Sequence, residues 1–118
     1  MSYDIRLNDP KTGKTIKFDE PHQLKGGTYE VGGCPEAWLN VTYNYTKHFS
    51  QALGEKGVGV IYGKTGKESI PILKKAISKL HGDPDRNYWA ATEGNARKAL
   101  RDLLALAKMA PHGVWDGD

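Results

Sequence analysis

Apolar and polar positions alternate at the start of the chain. Tyr3, Ile5 and Leu7 are apolar around Asp4 and Arg6, and Ile16 and Phe18 repeat the pattern around Lys17. A period of two marks a strand with one buried face. Residues 8–14 are dense in turn formers (Asn8, Asp9, Pro10, Gly13), so the two segments predict a β-hairpin. Gly26-Gly27 and Gly32-Gly33 bracket Thr28, Tyr29, Glu30 and Val31, a short third strand with a hinge or bulge at each end. Residues 38–43 give the strongest strand signal, with Leu39, Val41 and Tyr43 on one face and Trp38, Asn40 and Thr42 on the other.

The period then lengthens. Tyr45, Phe49, Ala52 and Leu53 recur at helical spacing, with Gly54 or Gly57 as the stop. Residues 58–62 read as a further strand, weakened by Gly57 and Gly59. Ile70, Leu73, Ala76, Ile77 and Leu80 then form one stripe opposite Lys74, Lys75 and Lys79. Two starts compete for that helix. Thr65 and Glu68 have capping-box spacing, but this start leaves Pro71 inside the helix, where its ring clashes with the preceding turn. A start at Ser69 puts Pro71 in the first turn and is preferred. After Gly82-Asp83-Pro84-Asp85, Thr92 caps a last helix to about Ala110, with Ala96, Leu100, Leu103, Leu104 and Ala107 inward. Trp115, close to the C-terminus, is expected to fold back onto the body. The sum is a single α+β domain over 1–118: an N-terminal antiparallel sheet covered by helices near 44–54, 69–80 and 92–110.

Composition narrows the function classes. A chain of 118 residues with 38% hydrophobic and 26% charged residues supports one globular core. A formal charge of +3 suits a small anion or an acidic protein patch. Duplex-binding domains concentrate far more Lys and Arg on one element, so nucleic acid is not the expected partner. Cys34 is the single cysteine, which rules out an internal disulfide and fits a reducing compartment. The start of the chain has no apolar leader and no run is long enough for a bilayer, so the expectation is a cytoplasmic protein without membrane contact.

Several motifs fail on spacing. Gly63-Lys64-Thr65-Gly66-Lys67-Glu68-Ser69 suggests a phosphate loop, but a P-loop has Ser or Thr directly after its Gly-Lys, and Glu68 stands there. It remains a lysine-bearing loop before a helix, a weak anion site. Asp83, Asp85 and Asn87 imitate an EF-hand opening, but Tyr88 and Gly94 occupy the positions that demand Gly and Glu. His22, His48, His81 and His112 lack zinc-ligand spacing. Cys34 would need His22 or His48 beside it to act as a nucleophile, and reads as an inert residue in a turn. No catalytic residue, cofactor or metal is assigned.

Three groups survive as binding candidates. The first is the polar strand face and its continuation, Asn40, Thr42 and Asn44, with Tyr43, Tyr45 and His48 alongside; amides beside aromatic rings suit a flat polar ligand. The alternative is an ordinary solvated strand face. The second is Thr92, Gly94 and Asn95 with Arg97 and Arg101. A glycine in a helix's first turn leaves its N–H groups open to an anion, or else admits a neighbouring backbone. The third is Tyr88, Trp89 and Trp115, as ligand-facing aromatics or as packing.

The segments Ala37-Trp38-Leu39-Asn40-Val41-Thr42-Tyr43-Asn44-Tyr45, Ile61-Tyr62-Gly63-Lys64-Thr65-Gly66, Tyr88-Trp89-Ala90-Ala91-Thr92-Glu93-Gly94-Asn95-Ala96 and Gly113-Val114-Trp115-Asp116-Gly117-Asp118 together resemble a family of short phage and prophage proteins. The resemblance implies a setting and no catalytic residues. Small phage proteins without an enzyme motif are often host-defence antagonists, some sequestering a nucleotide-derived signal and others blocking a defence protein. The leading expectation is therefore non-catalytic capture of a small nucleotide-like anion, with a homo-oligomer allowed. Asn40, Asn44 and Tyr45 would read the base or ribose, while Gly94, Asn95, Lys64, Lys67 and Arg97 would hold phosphate. A protein-binding inhibitor is the alternative, and a nucleotide enzyme without a recognisable motif the third. A preformed concave pocket would favour the first, and an exposed apolar patch the second.

Overall fold

The alternating N-terminal segment pairs on both of its edges, and this sets the architecture. In the computed structural model, which describes residues 2–26 and 33–118, β1 (Ser2–Asn8) is the middle strand of a three-stranded antiparallel sheet. β4 (Trp38–Thr42) lies on one side, with Ile5 opposite Leu39 and Tyr3 opposite Val41. β5 (Val114–Gly117) lies on the other, with Leu7 opposite Trp115. The expected hairpin begins as read. Gly13 N–H donates to Asp9 O and Asp9 N–H to Lys14 O, both at 2.8 Å, and Asn8 bridges Thr15. The two strands then part, because β1 has no free edge. β2 (Lys17–His22) pairs instead with β3 (Cys34–Glu36) in a separate two-stranded sheet. The expected strand at 28–31 lies outside the described residues.

Three helices follow: α1 (Thr46–Leu53), α2 (Gly66–Ser78) and α3 (Glu93–Met109). They account for the helices expected near 44–54, 69–80 and 92–110, and the fold class is α+β. The first begins later than expected, because Tyr43–Tyr45 forms a 3-10 turn that Thr42 caps by accepting the Asn44 N–H. Thr42, expected outside, is buried, and Tyr43 has left the strand for this turn. The segment read as a strand at 58–62 is instead a 3-10 turn, Gly57–Ile61, entered through Gly57 at φ 55°.

The start of α2 corrects the preference for Ser69. Thr65 is the cap: its hydroxyl accepts from Glu68 N–H at 3.1 Å, and Glu68 accepts from Thr65 N–H at 2.9 Å. The remaining first-turn amides are satisfied from the end of the chain, Gly66 N–H by Gly113 O and Lys67 N–H by Pro111 O. These bonds offset the one that Pro71, inside the helix, is unable to donate. The Thr65 amide holds the Glu68 carboxyl below the usual carboxylate range.

The start of α2 lies against the end of α3, so the two helices run antiparallel. A Cβ at Gly66 would come within 2.8 Å of Ala110 O. Ile5, Leu7, Leu39, Val41 and Trp115 from the sheet share one core with Tyr45, Phe49, Leu73, Leu100, Leu103 and Leu106 from the helices and turns. Leu104, expected inward, is only half-buried; Leu106 takes its place. Trp115 does return to the body, as the inner residue of β5, and its indole N–H donates to the buried Ser69 Oγ at 2.7 Å. Among the described residues, no helix is long and apolar enough to cross a membrane.

Candidate functional site

Between α2 and α3 the chain makes a loop over residues 83–92. Pro84 and the Asp and Asn residues around it favour turns over a ladder. Asp85 Oδ1 accepts from Asn87 N–H at 2.8 Å, and Asn87 Oδ1 from Trp89 N–H at 3.1 Å, two successive Asx turns. Such a loop leaves backbone carbonyls without a helix or sheet to satisfy them.

Side chains from the body satisfy them in order. Asn95 Nδ2 donates to Asn87 O at 3.0 Å and to Ala90 O at 2.9 Å, while its Oδ1 accepts from Asp85 N–H at 2.8 Å. The Tyr45 hydroxyl donates to Tyr88 O. Asn44 Nδ2 donates to Trp89 O at 2.7 Å, and His48 Nε2 to Ala91 O at 2.9 Å. A carbonyl only accepts, so this last bond fixes the proton of His48 on Nε2. Carbonyls 87 to 91 are thus all engaged. Burial, and after it the neighbouring Tyr88 phenol, push Tyr45 up to about 12.

The residues expected to read a ligand are therefore spent on the protein's own loop. Asn44, Tyr45, His48 and Asn95 are its anchors. Asn40 is engaged on the sheet, donating to Ser2 Oγ at 2.8 Å and Asp4 Oδ1 at 2.9 Å. Tyr43 packs edge-on against Tyr3 with ring centroids 4.5 Å apart. Thr92 caps α3, its hydroxyl accepting from Asn95 N–H at 3.2 Å.

The expected phosphate set is not assembled. A Cβ at Gly94 would sit 1.9 Å from Asp83 O and 2.5 Å from Asp83 C, so this glycine admits a neighbouring backbone. Lys64 and Lys67 flank the start of α2, at the far end of α3. Seventeen residues of α3 intervene, a length of about 25 Å, well beyond the reach of a lysine side chain. The first-turn amides of α2, which would have made the weak anion site, are the ones engaged by Thr65, Pro111 and Gly113. Arg97 lies in the second turn of α3, and its Nε and the His48 Nδ1 are buried atoms without a hydrogen-bond partner among the described residues.

What the loop presents outward is aromatic. Trp89 is 43% exposed, and its ring stands 5.0 Å from that of Tyr88 at 41°. Arg86, two residues before Tyr88, is exposed too. Sequence reasoning selected Trp89 but had no means of seeing that its neighbours hold it. The only local hint was the run of Asp, Asn and Pro before it.

Cys34 is buried in β3 with its Sγ 3.5 Å from Glu36 O. The His22 imidazole faces the same strand but is fully used: Nε2 bonds Glu36 O at 2.8 Å and Nδ1 accepts from Leu24 N–H at 3.2 Å. It has no nitrogen left to act as a base toward the thiol. Among the described residues, no group of three or more His, Cys, Asp or Glu is placed to hold a metal ion. No family model matches this chain, and neither does any curated protein or solved structure.

Proposed function

We propose that the protein acts without catalysis, by binding another protein through the 83–92 loop, with Trp89 as the anchor. In the setting implied by the resemblance to phage proteins, the partner is a host-defence protein. The observation that carries this reading is the run of engaged carbonyls from 87 to 91 beneath an exposed tryptophan. An exposed Trp beside Tyr and Arg has the composition of a binding hot spot. A loop already fixed by its own body loses little conformational freedom on association, so more of the contact energy appears as affinity.

The nucleotide-capture reading needed polar side chains converging on a cavity. Of the grooves on the described surface, one is lined by Asn8, Asp9, Gly63, Trp115 and Asp116 and another by Leu53, Val60 and Ile72; of the residues expected to face a ligand these two include Trp115 alone, whose indole N–H is already bonded to Ser69. The exposed aromatic loop favours a macromolecular partner instead.

Site-specific photocrosslinking tests the proposal. A benzophenone amino acid replaces Arg86, exposed on the same loop, in one variant and Met109, 44% exposed, in another, with Trp89 kept in both. In host-cell extract, position 86 should yield one discrete protein adduct and position 109 none. Equal labelling from both positions, or no adduct from 86, would overturn it.

A further inference from the structure

A second surface, independent of the Trp89 loop, lies between α1, the Gly57–Ile61 turn and α2. Ala52, Leu53, Val60, Ile72 and Ala76 form its apolar floor, and its volume is about 230 Å³. Leu53, Val60 and Ile72 are only half-covered there, while Ala52 and Ala76 close the bottom. Lys75 and Lys79 stand on the rim, both exposed and one helical turn apart.

Among the described residues, none forms an ion pair with either lysine. The ion pairs among the described residues are Arg6–Asp116 and Lys98–Asp102, neither of them on α2. Glu68 is the sole acidic residue of α2, and it is occupied at the helix start by the Thr65 N–H. An apolar trough edged on one side by two cations that no described residue pairs calls for a partner with the opposite arrangement.

We propose that this groove docks an acidic amphipathic helix, two of whose aliphatic side chains rest on Leu53, Val60 and Ile72 while its carboxylates face Lys75 and Lys79. An enclosed small-molecule site usually has about 300–1,000 Å³, and this groove is smaller and open, which suits anchors from a helix. Charge complementarity fixes which way the helix lies, since its acidic edge must run along α2.

Selection from an unbiased displayed library of helical peptides, followed by a charge swap, tests this. Enriched peptides should carry aliphatic residues three or four apart with Asp or Glu beside them. The synthetic consensus peptide should lose at least about tenfold in affinity against the Lys75→Glu, Lys79→Glu variant, and regain it when its own acids are changed to Lys. Both lysines are exposed, so circular dichroism should show the variant folded. Trp89→Ala should leave this binding unchanged, which keeps it separate from the loop. Enrichment of neutral or basic peptides, no enrichment at all, or binding indifferent to the swap would refute the proposal.

Discussion

Gly94 lies against the backbone of Asp83 so closely that a Cβ at 94 would overlap the Asp83 carbonyl. The first turn of α3 is therefore a seat for the loop before it. Gly94→Ala is expected to destabilise the protein by about 1–3 kcal/mol, as overpacking does, although alanine is the better helix former by roughly 1 kcal/mol. Chemical denaturation checks this. A midpoint that rises would mean that the intrinsic helix term wins and the loop does not sit there.

Asn95 holds the same loop from inside. Its amide makes three bonds, to Asp85 N–H and to the carbonyls of Asn87 and Ala90, and the residue is buried. Asn95→Ala should cost about 1–3 kcal/mol through the unsatisfied groups left behind. It should also speed hydrogen exchange at the Asp85 amide while the α2 amides keep their protection. Uniform loss of protection would show that the residue supports the whole fold and not the loop.

Tyr45 gives a pH signature. Its folded-state value is raised from 10.0 to about 12, because burial first, and then Tyr88, disfavour the phenolate. The neutral form is thus the one that the fold stabilises. This contribution is fully present below about pH 10 and is lost as pH rises toward 12. Tyr62 is raised too, by burial first, so the comparison must be made against a variant. Tyr45→Phe should be less stable than the parent at neutral pH, and the gap should narrow over pH 10–12. A gap that stays constant would show that Tyr45 does not titrate with folding.

Leu103 is fully buried in the middle of α3, among the residues that join the helices to the sheet. Leu103→Ala should cost about 2–5 kcal/mol, measured in the same denaturation experiment. An unchanged midpoint would mean that the stripe does not pack as described.

Periodicity made much of this fold legible. The stripe of Leu100, Leu103 and Ala107 fixed α3 with its Thr92 cap, and the alternation of Leu39 with Val41 fixed β4. What stayed hidden was decided by distant partners. Pro71 argued locally against a start at Thr65, but the carbonyls of Pro111 and Gly113, far along the chain, satisfy the earlier turn. β5 is four residues long and carries its signal only through pairing with β1. The same applies to the candidate site. Asn44, Tyr45, His48 and Asn95 have the polarity of ligand readers, and nothing in their spacing says that their ligand is the backbone of 85–91. Gly94 allowed two readings in the sequence, and the position of Asp83 decides between them.

Native mass spectrometry of the protein after incubation in host-cell extract weighs what the Trp89 loop retains. The expected result is a complex heavier by the mass of a whole protein, absent when Trp89→Ala is used in place of the parent, with the variant still folded. A retained species of a few hundred daltons, unaffected by Trp89→Ala, would contradict it.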